Sequence, residues 1–188
     1  MEKTKKMVLS AILTALVIVL QFMGAFVRFG PFSISLVLIP IVIGTATCGC
    51  KIGAWLGLVF GIVVLISGDA AAFLAVDVPG TILTVLVKGI ACGYVAGFVY
   101  KLIEKYNRMA AVVAAAVVCP LVNTGIFLIG CLLFFMETVA GWAAAAGLGG
   151  GVAHYMIFVL VGGNFVFELL LNLIVSPAVV RLLNIKLK

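Results

Sequence analysis

The chain has 188 residues, of which 66% are hydrophobic and only 10% are charged. Soluble domains contain about 45–50% apolar and about 25% charged residues, and a domain of this size has too little interior to bury such an apolar excess. The composition therefore indicates an integral membrane protein, and it excludes a soluble nucleic-acid-binding domain although the net charge is +6.

Six apolar segments follow one another along the chain. A helix needs about 20 residues to cross about 30 Å of hydrocarbon, and the alternation typical of barrel strands is absent. The sequence therefore predicts an all-α fold, an integral membrane bundle of six transmembrane helices that forms one domain over residues 1–188. The predicted spans lie near residues 7–27, 33–50, 52–68, 79–100, 109–136 and 153–183.

The basic residues predict the orientation of these spans, because cytoplasmic loops collect Lys and Arg. With the N-terminus inside, most basic residues fall on the cytoplasmic side, whereas Arg28 falls outside and Lys88 lies within the fourth span. We therefore expect both termini in the cytoplasm and a multi-pass protein of the cell membrane. The basic residues on the cytoplasmic side are Lys3, Lys5, Lys6, Lys51, Lys101, Lys105, Arg108, Arg181, Lys186 and Lys188.

Two longer loops on the predicted outer side, near residues 68–79 and 137–152, have apolar and small residues. Each can hold a short interfacial helix and act as a lid over a site that faces outward. The alternative is that both are passive connectors.

Small residues recur at helical spacing in three spans. Ala11 and Ala15 lie one turn apart on the first span, a spacing that allows close approach of another helix. The glycines of the third and fourth spans have the same spacing and indicate packing within the bundle. They are Gly53, Gly57, Gly61, Gly93 and Gly97.

Ionisable residues inside a span are costly and are functional candidates by default. Lys88 lies roughly 13 Å of helical rise into the fourth span. Asn164 and Glu168 are one turn apart on the sixth span, and Asn123 lies within the fifth. These side chains predict a polar ligand pocket among the last three spans. The alternative is structural, with Lys88 and Glu168 as an ion pair and the asparagines as hydrogen bonds between helices.

His154 and Tyr155 stand at the predicted outer end of the sixth span and complete the set of predicted ligand-binding residues. The sequence has no phosphate-binding loop of an ATPase and no metal-ligand motif. We therefore expect no catalytic residues, no metal and no cofactor. An intramembrane enzyme is disfavoured, because the candidate groups lie at different predicted depths.

Four short stretches resemble the S component of an energy-coupling factor (ECF) transporter. They are residues 4–7 (Thr-Lys-Lys-Met), the alanine pair within 11–15, the second apolar run 34–44, and the turn at 49–57. At that turn the family usually has proline where this chain has Cys50.

The resemblance implies the fold, the partners and the activity of such a component. It implies that the chain binds one vitamin or related micronutrient from outside, in a prokaryotic plasma membrane, and delivers it inward. It implies that Ala11 and Ala15 dock a membrane-embedded T component, which works with two cytoplasmic ATPase subunits. The last three spans and the outer loops are then expected to form the ligand site.

Among ligands of this family, Lys88 favours an anion, and amide side chains suit hydroxyl and amide groups. Pantothenate ranks first and riboflavin second, whereas the cation thiamin is disfavoured by the lysine. The alternative function is a structural or assembly membrane protein with no small-molecule ligand.

Overall fold

The computed structural model describes residues 2–24, 28–29, 32–33, 36–147 and 151–186. These residues are helical almost throughout, and they include one short hairpin of two-residue strands. In chain order the elements are α1 (Glu2–Gly24), β1 (Arg28–Phe29), β2 (Phe32–Ser33), α2 (Leu38–Cys48), α3 (Cys50–Ile66), α4 (Ala71–Leu74), α5 (Val78–Ile103), α6 (Arg108–Phe134), α7 (Met136–Ala145), α8 (Gly151–His154), a π-helical segment (Tyr155–Gly162) and α9 (Gly163–Lys186).

Within the described ranges, four helical runs are long and apolar enough to cross a membrane, namely Lys3–Gly24, Val78–Ile103, Arg108–Phe134 and Gly151–Arg181. They correspond to the first, fourth, fifth and sixth predicted spans. The all-α membrane fold is therefore confirmed. The other two apolar helices, α2 and α3, have 11 and 17 residues.

The second predicted span is shorter than expected and begins later. Ser33 belongs to β2, where it pairs with Arg28, and the helix starts only at Leu38. Pro40 lies in the first turn of α2, where a missing N–H leaves no helical hydrogen bond unmade. At 1.5 Å per residue α2 is about 16 Å long, well short of the hydrocarbon thickness. The expected ends of the first two spans at residues 25–27 and 34–35 lie outside the described residues.

The sixth predicted span is also not a uniform α-helix. Between α8 and α9 the backbone is π-helical over Tyr155–Gly162. Such wide turns are rare and occur frequently at functional sites. This departure places the irregular segment immediately before the polar residues of α9.

The two longer loops each contain a short helix, as expected. One is α4, and the other is α7, which follows α6 after a break at Phe135. Residues 148–150 of the second loop lie outside the described residues. The two segments lie at the same end of the bundle, because Phe73 of α4 contacts Trp142 of α7.

Helices α3 and α5 pack with their backbones in direct contact. A Cβ on Gly57 would collide with the carbonyl oxygen of Gly89, and one on Gly93 would collide with that of Gly53. The glycines therefore serve packing inside the bundle, as their spacing predicted. The close contact fixes the relative position of the two helices that carry Phe60 and Lys88.

Candidate functional site

A cavity of about 100 Å³ lies between α3, α4, α5, α6, the π-helical segment and α9. Four of the six residues predicted to bind a ligand line this cavity: Lys88, Asn123, Asn164 and Glu168. They come from three different helices. The remaining wall is mostly apolar, a composition typical of small-molecule sites with a few convergent polar groups.

Lys88 enters the cavity from the middle of α5. It lies ten residues beyond the start of that helix, about 15 Å of helical rise. Its ammonium nitrogen lies 5.3 Å from the ring centroid of Phe127 and 5.7 Å from that of Phe60. Both distances are within the range of cation–π attraction. The two rings therefore hold the lysine side chain in place within an apolar surrounding.

Asn123 presents a buried amide to the cavity from α6. Its side-chain oxygen is buried without a hydrogen-bond partner among the described residues. Such an oxygen costs about 1–3 kcal/mol when nothing donates to it. A donor group on a ligand in the cavity can remove this cost. Thr124, the next residue, lines the same cavity.

Asn164, Glu168, Asn172 and Ser176 follow at intervals of four residues on α9 and form a polar stripe, whose last two residues lie outside the cavity lining. Glu168 is buried, and its backbone oxygen accepts a hydrogen bond from Asn172 Nδ2 at 3.1 Å. Ser176 Oγ lies 3.4 Å from Asn172 Oδ1 and donates to it. The lower part of the stripe therefore bonds within its own helix, whereas Asn164 and Glu168 face the cavity.

Asp69 is a cavity residue that sequence reasoning assigned only to the outer loop. It follows the end of α3, and its Oδ2 accepts a hydrogen bond of 2.7 Å from Gln21 Nε2. Gln21 is 1% exposed and lies on the apolar helix α1. A glutamine buried in a span was the available signal, because such an amide needs a polar partner.

A second cavity of about 420 Å³ lies beside the first and contains Tyr155, the fifth predicted residue. Asp69 and Phe73 line both cavities. Phe73 packs edge-on against Phe127, Phe135 and Trp142, with ring centroids 5.6, 4.9 and 5.5 Å away. This aromatic cluster separates the two cavities.

His154, the sixth predicted residue, lies outside the described lining of both cavities. Its side chain is exposed, and its ring centroid is 4.7 Å from that of Phe158. Within the described part of the chain no group of three His, Cys, Asp or Glu residues is arranged to hold a metal ion.

Ala11 and Ala15 lie on an exposed face of α1. Between them Thr14 Oγ1 accepts a hydrogen bond of 3.3 Å from the indole nitrogen of Trp55 on α3. Large apolar residues on the same helix, including Ile12 and Leu16, are exposed as well. This face is available to lipid or to another helix.

A family model described as the ECF transporter, substrate-specific component, matches residues 5–183. The chain belongs to this family. As an ECF substrate-specific component it is a membrane subunit of a transporter and not an enzyme, and it works in a membrane complex with a T component and ATPases. The comparison with curated proteins finds no match to this ECF component, and the comparison with solved structures finds none.

Proposed function

We propose that this ECF substrate-specific component binds a vitamin-like molecule in the cavity around Lys88 and delivers it across a prokaryotic plasma membrane. In this proposal all six apolar segments form one transmembrane domain, with both termini in the cytoplasm. The short helices α2 and α3 then count as the second and third spans, since the surrounding protein covers most of α2.

The observation that carries the proposal is the convergence of polar side chains from separate helices. Lys88, Asn123 and Glu168 meet at one cavity although 35 and 45 residues separate them in sequence. A purely structural protein has no need to leave the buried oxygen of Asn123 without a donor. This arrangement favours ligand binding over the structural alternative.

Pantothenate is the proposed ligand, and riboflavin is the second candidate. A carboxylate suits Lys88, and hydroxyl and amide groups suit Asn123 and Asn164, which both donate and accept. Asp69 adds an acceptor for ligand hydroxyl groups. Tyr155 lines the neighbouring cavity, and we propose that it and His154 contact the ligand as it enters from outside.

In this proposal a ligand enters the cavity when the aromatic cluster around Phe73 moves. The cavity of about 100 Å³ is smaller than the roughly 300 Å³ or more of typical small-molecule sites. Displacement of the Phe73 ring would join the cavity around Lys88 to the neighbouring cavity that Tyr155 lines. We therefore propose that α4 is the gate of the site.

The exposed alanine face of α1 supports the proposed docking of the T component. Ala11 and Ala15 leave a shallow surface that allows a second helix to approach closely. The energy for transport then comes from two ATPase subunits bound to that partner.

Thermal stability of the purified chain against a panel of vitamins tests the proposed function. A ligand that binds only the folded state stabilises it by about 4 kcal/mol at a thousandfold excess over Kd. We expect pantothenate to raise the midpoint and Lys88→Met to abolish the rise. Lys3→Met, which removes an exposed lysine of α1, is the matched control and should retain it.

Two outcomes would contradict the proposal. One is a well-folded wild-type chain that no vitamin in a broad panel stabilises. The other is a ligand shift that survives in both Lys88→Met and Asn164→Ala, since binding would then occur elsewhere. A shift with thiamin alone would overturn the ligand assignment but not the site.

A further inference from the structure

A larger cleft, of about 930 Å³, lies at the end of the bundle where α1 begins and α5 ends. It shares no lining residue with the cavity around Lys88. Four lysines line it: Lys6 on α1, Lys51 on α3, Lys101 on α5 and Lys105 in the turn after α5. Glu104 is the one acidic residue among its described lining residues, so the cleft carries a positive charge.

The convergence of these lysines exceeds what membrane orientation requires. The preference for basic residues in cytoplasmic loops is satisfied by any position on that side. Here Lys6, Lys51 and Lys101 instead face one concave surface, where like charges repel one another. A bound anion relieves this repulsion and is attracted by all of the lysines.

The start of α3 adds backbone donors to the same cleft. Its N-cap is Gly49, at φ 100°, and no side chain caps the helix. Gly49, Cys50 and Lys51 all line the cleft. Uncapped first-turn N–H groups favour anions, and phosphate in particular. The lysines and these amides together therefore suit a phosphate group.

An apolar stripe leads out of the cleft along α5. Tyr94, Phe98 and Leu102 follow at intervals of four residues, which places them on one side of the helix. Their side chains are 51, 51 and 54% exposed. All three line the cleft. An acyl chain attached to the bound phosphate can lie along this stripe, whereas a soluble anion would leave it unused.

We propose that this cleft binds an anionic phospholipid, with its phosphate at the lysines and its acyl chain along Tyr94, Phe98 and Leu102. The site is distinct from the cavity around Lys88 and does not depend on the identity of the transported ligand. The lysines and the start of α3 favour anionic over zwitterionic lipids, and the apolar stripe holds the acyl chain.

Native mass spectrometry of the detergent-purified full chain tests this proposal with dioleoyl-phosphatidylglycerol and dioleoyl-phosphatidylcholine. The double variant Lys51→Gln and Lys101→Gln should weaken phosphatidylglycerol binding roughly 25-fold, at about fivefold per lysine. The matched control Lys3→Gln and Lys5→Gln removes the same charge outside the cleft and should change binding little. Unchanged thermal midpoints confirm that both variants fold.

The remaining arms distinguish the source of the phosphate. Inorganic phosphate should not displace the bound phosphatidylglycerol, and Phe98→Gln should weaken lipid binding without creating phosphate binding. Salt raised from about 0.1 M to about 1 M should remove the preference over phosphatidylcholine. The proposal is overturned by equal binding of the two lipids, by equal loss in the control, or by displacement with phosphate.

Discussion

At the scale of single residues, two buried asparagines on neighbouring helices differ in their hydrogen bonds, although only Asn123 lines the cavity. Asn172 is 1% exposed and hydrogen-bonded on both sides, to Glu168 and to Ser176. Asn123 is 6% exposed, but its oxygen has no partner among the described residues. The first amide stabilises the fold, whereas the second awaits a donor. The same substitution is therefore expected to have different effects on the stability of the protein at Asn123 and at Asn172.

Replacement of Asn123 by leucine should leave the free protein as stable as before, or more stable by up to about 1 kcal/mol, because an unsatisfied buried oxygen is removed. The ligand-induced rise in thermal midpoint should be lost. Denaturation of the purified variant with and without ligand measures both effects. The matched control Asn172→Leu should lose about 1–3 kcal/mol, because it leaves the partners of Asn172 without their hydrogen bonds. A strongly destabilised Asn123→Leu would contradict this interpretation.

At the scale of helices, the contact between α3 and α5 is made by backbone atoms. Gly57 and Gly89 meet where any side chain would intrude. Gly125 on α6 has open space where a side chain would begin, because no neighbouring atom lies within 4 Å of an added Cβ. Gly57 and Gly125 thus differ in role although both lie in apolar helices.

The variant Gly57→Ala should destabilise the protein by about 1–3 kcal/mol, because the added methyl forces the helices apart. Gly125→Ala should be neutral or stabilising by up to about 1 kcal/mol, since alanine is the better helix former. Denaturation of the two variants in the same detergent compares them. Equal effects would show that α3 and α5 do not pack as described.

Phe73 is the buried side chain of the short helix α4. Phe73 is buried and contacts three aromatic rings from α6, α7 and the break between them. If α4 is the gate, Phe73→Ala should increase the ligand dissociation rate more than the association rate, because each edge-on ring contact contributes about 0.5–1.5 kcal/mol to the closed state. Stopped-flow binding with the identified ligand measures both rates. The exposed Val76→Ala on the same loop is the control, and equal rates in both variants would argue against the gate.

At the scale of the whole molecule, α1 contacts the ligand cavity on one side and is exposed at the surface of the bundle on another. One side of the helix holds Gln21 against Asp69, and another exposes Ala11 and Ala15. A T component docked on the exposed side would therefore bind the same helix that positions a cavity residue. Docking and ligand binding can be separated only by substitutions at the exposed side.

The double variant Ala11→Leu and Ala15→Leu should abolish copurification with the T component and the ATPases, because the added side chains block close helix approach. Ligand binding by the isolated variant should be unchanged. The control Val113→Phe adds similar bulk to an exposed position on α6 and should leave the complex intact. A complex that survives the alanine substitutions would exclude this face as the docking surface.

The sequence predicted the helical membrane fold and the cavity residues on the last three spans. Lys88, Asn123, Asn164 and Glu168 stand out because each is a polar group in an apolar run. The apolar wall from α3 had no such signal. For Asp69 the signal was indirect, because an aspartate after a helix is ordinary and only the buried Gln21 of α1 indicated a polar partner. The late start of α2 and the π-helical turns depend on tertiary packing, which the local pattern of apolar residues in the sequence does not predict.

The π-helical segment has a consequence for how the binding site can close. Each of its turns holds about one residue more than an α-helical turn, with hydrogen bonds from i to i+5. A switch of these bonds to the α pattern would turn Tyr155 and the preceding residues about the helix axis, by about 100° for each residue absorbed, while Asn164 and Glu168 stayed in place. The helical run from Gly151 to Lys186 thus contains a segment at which its first residues can rotate relative to α9, which packs against α2 and α6.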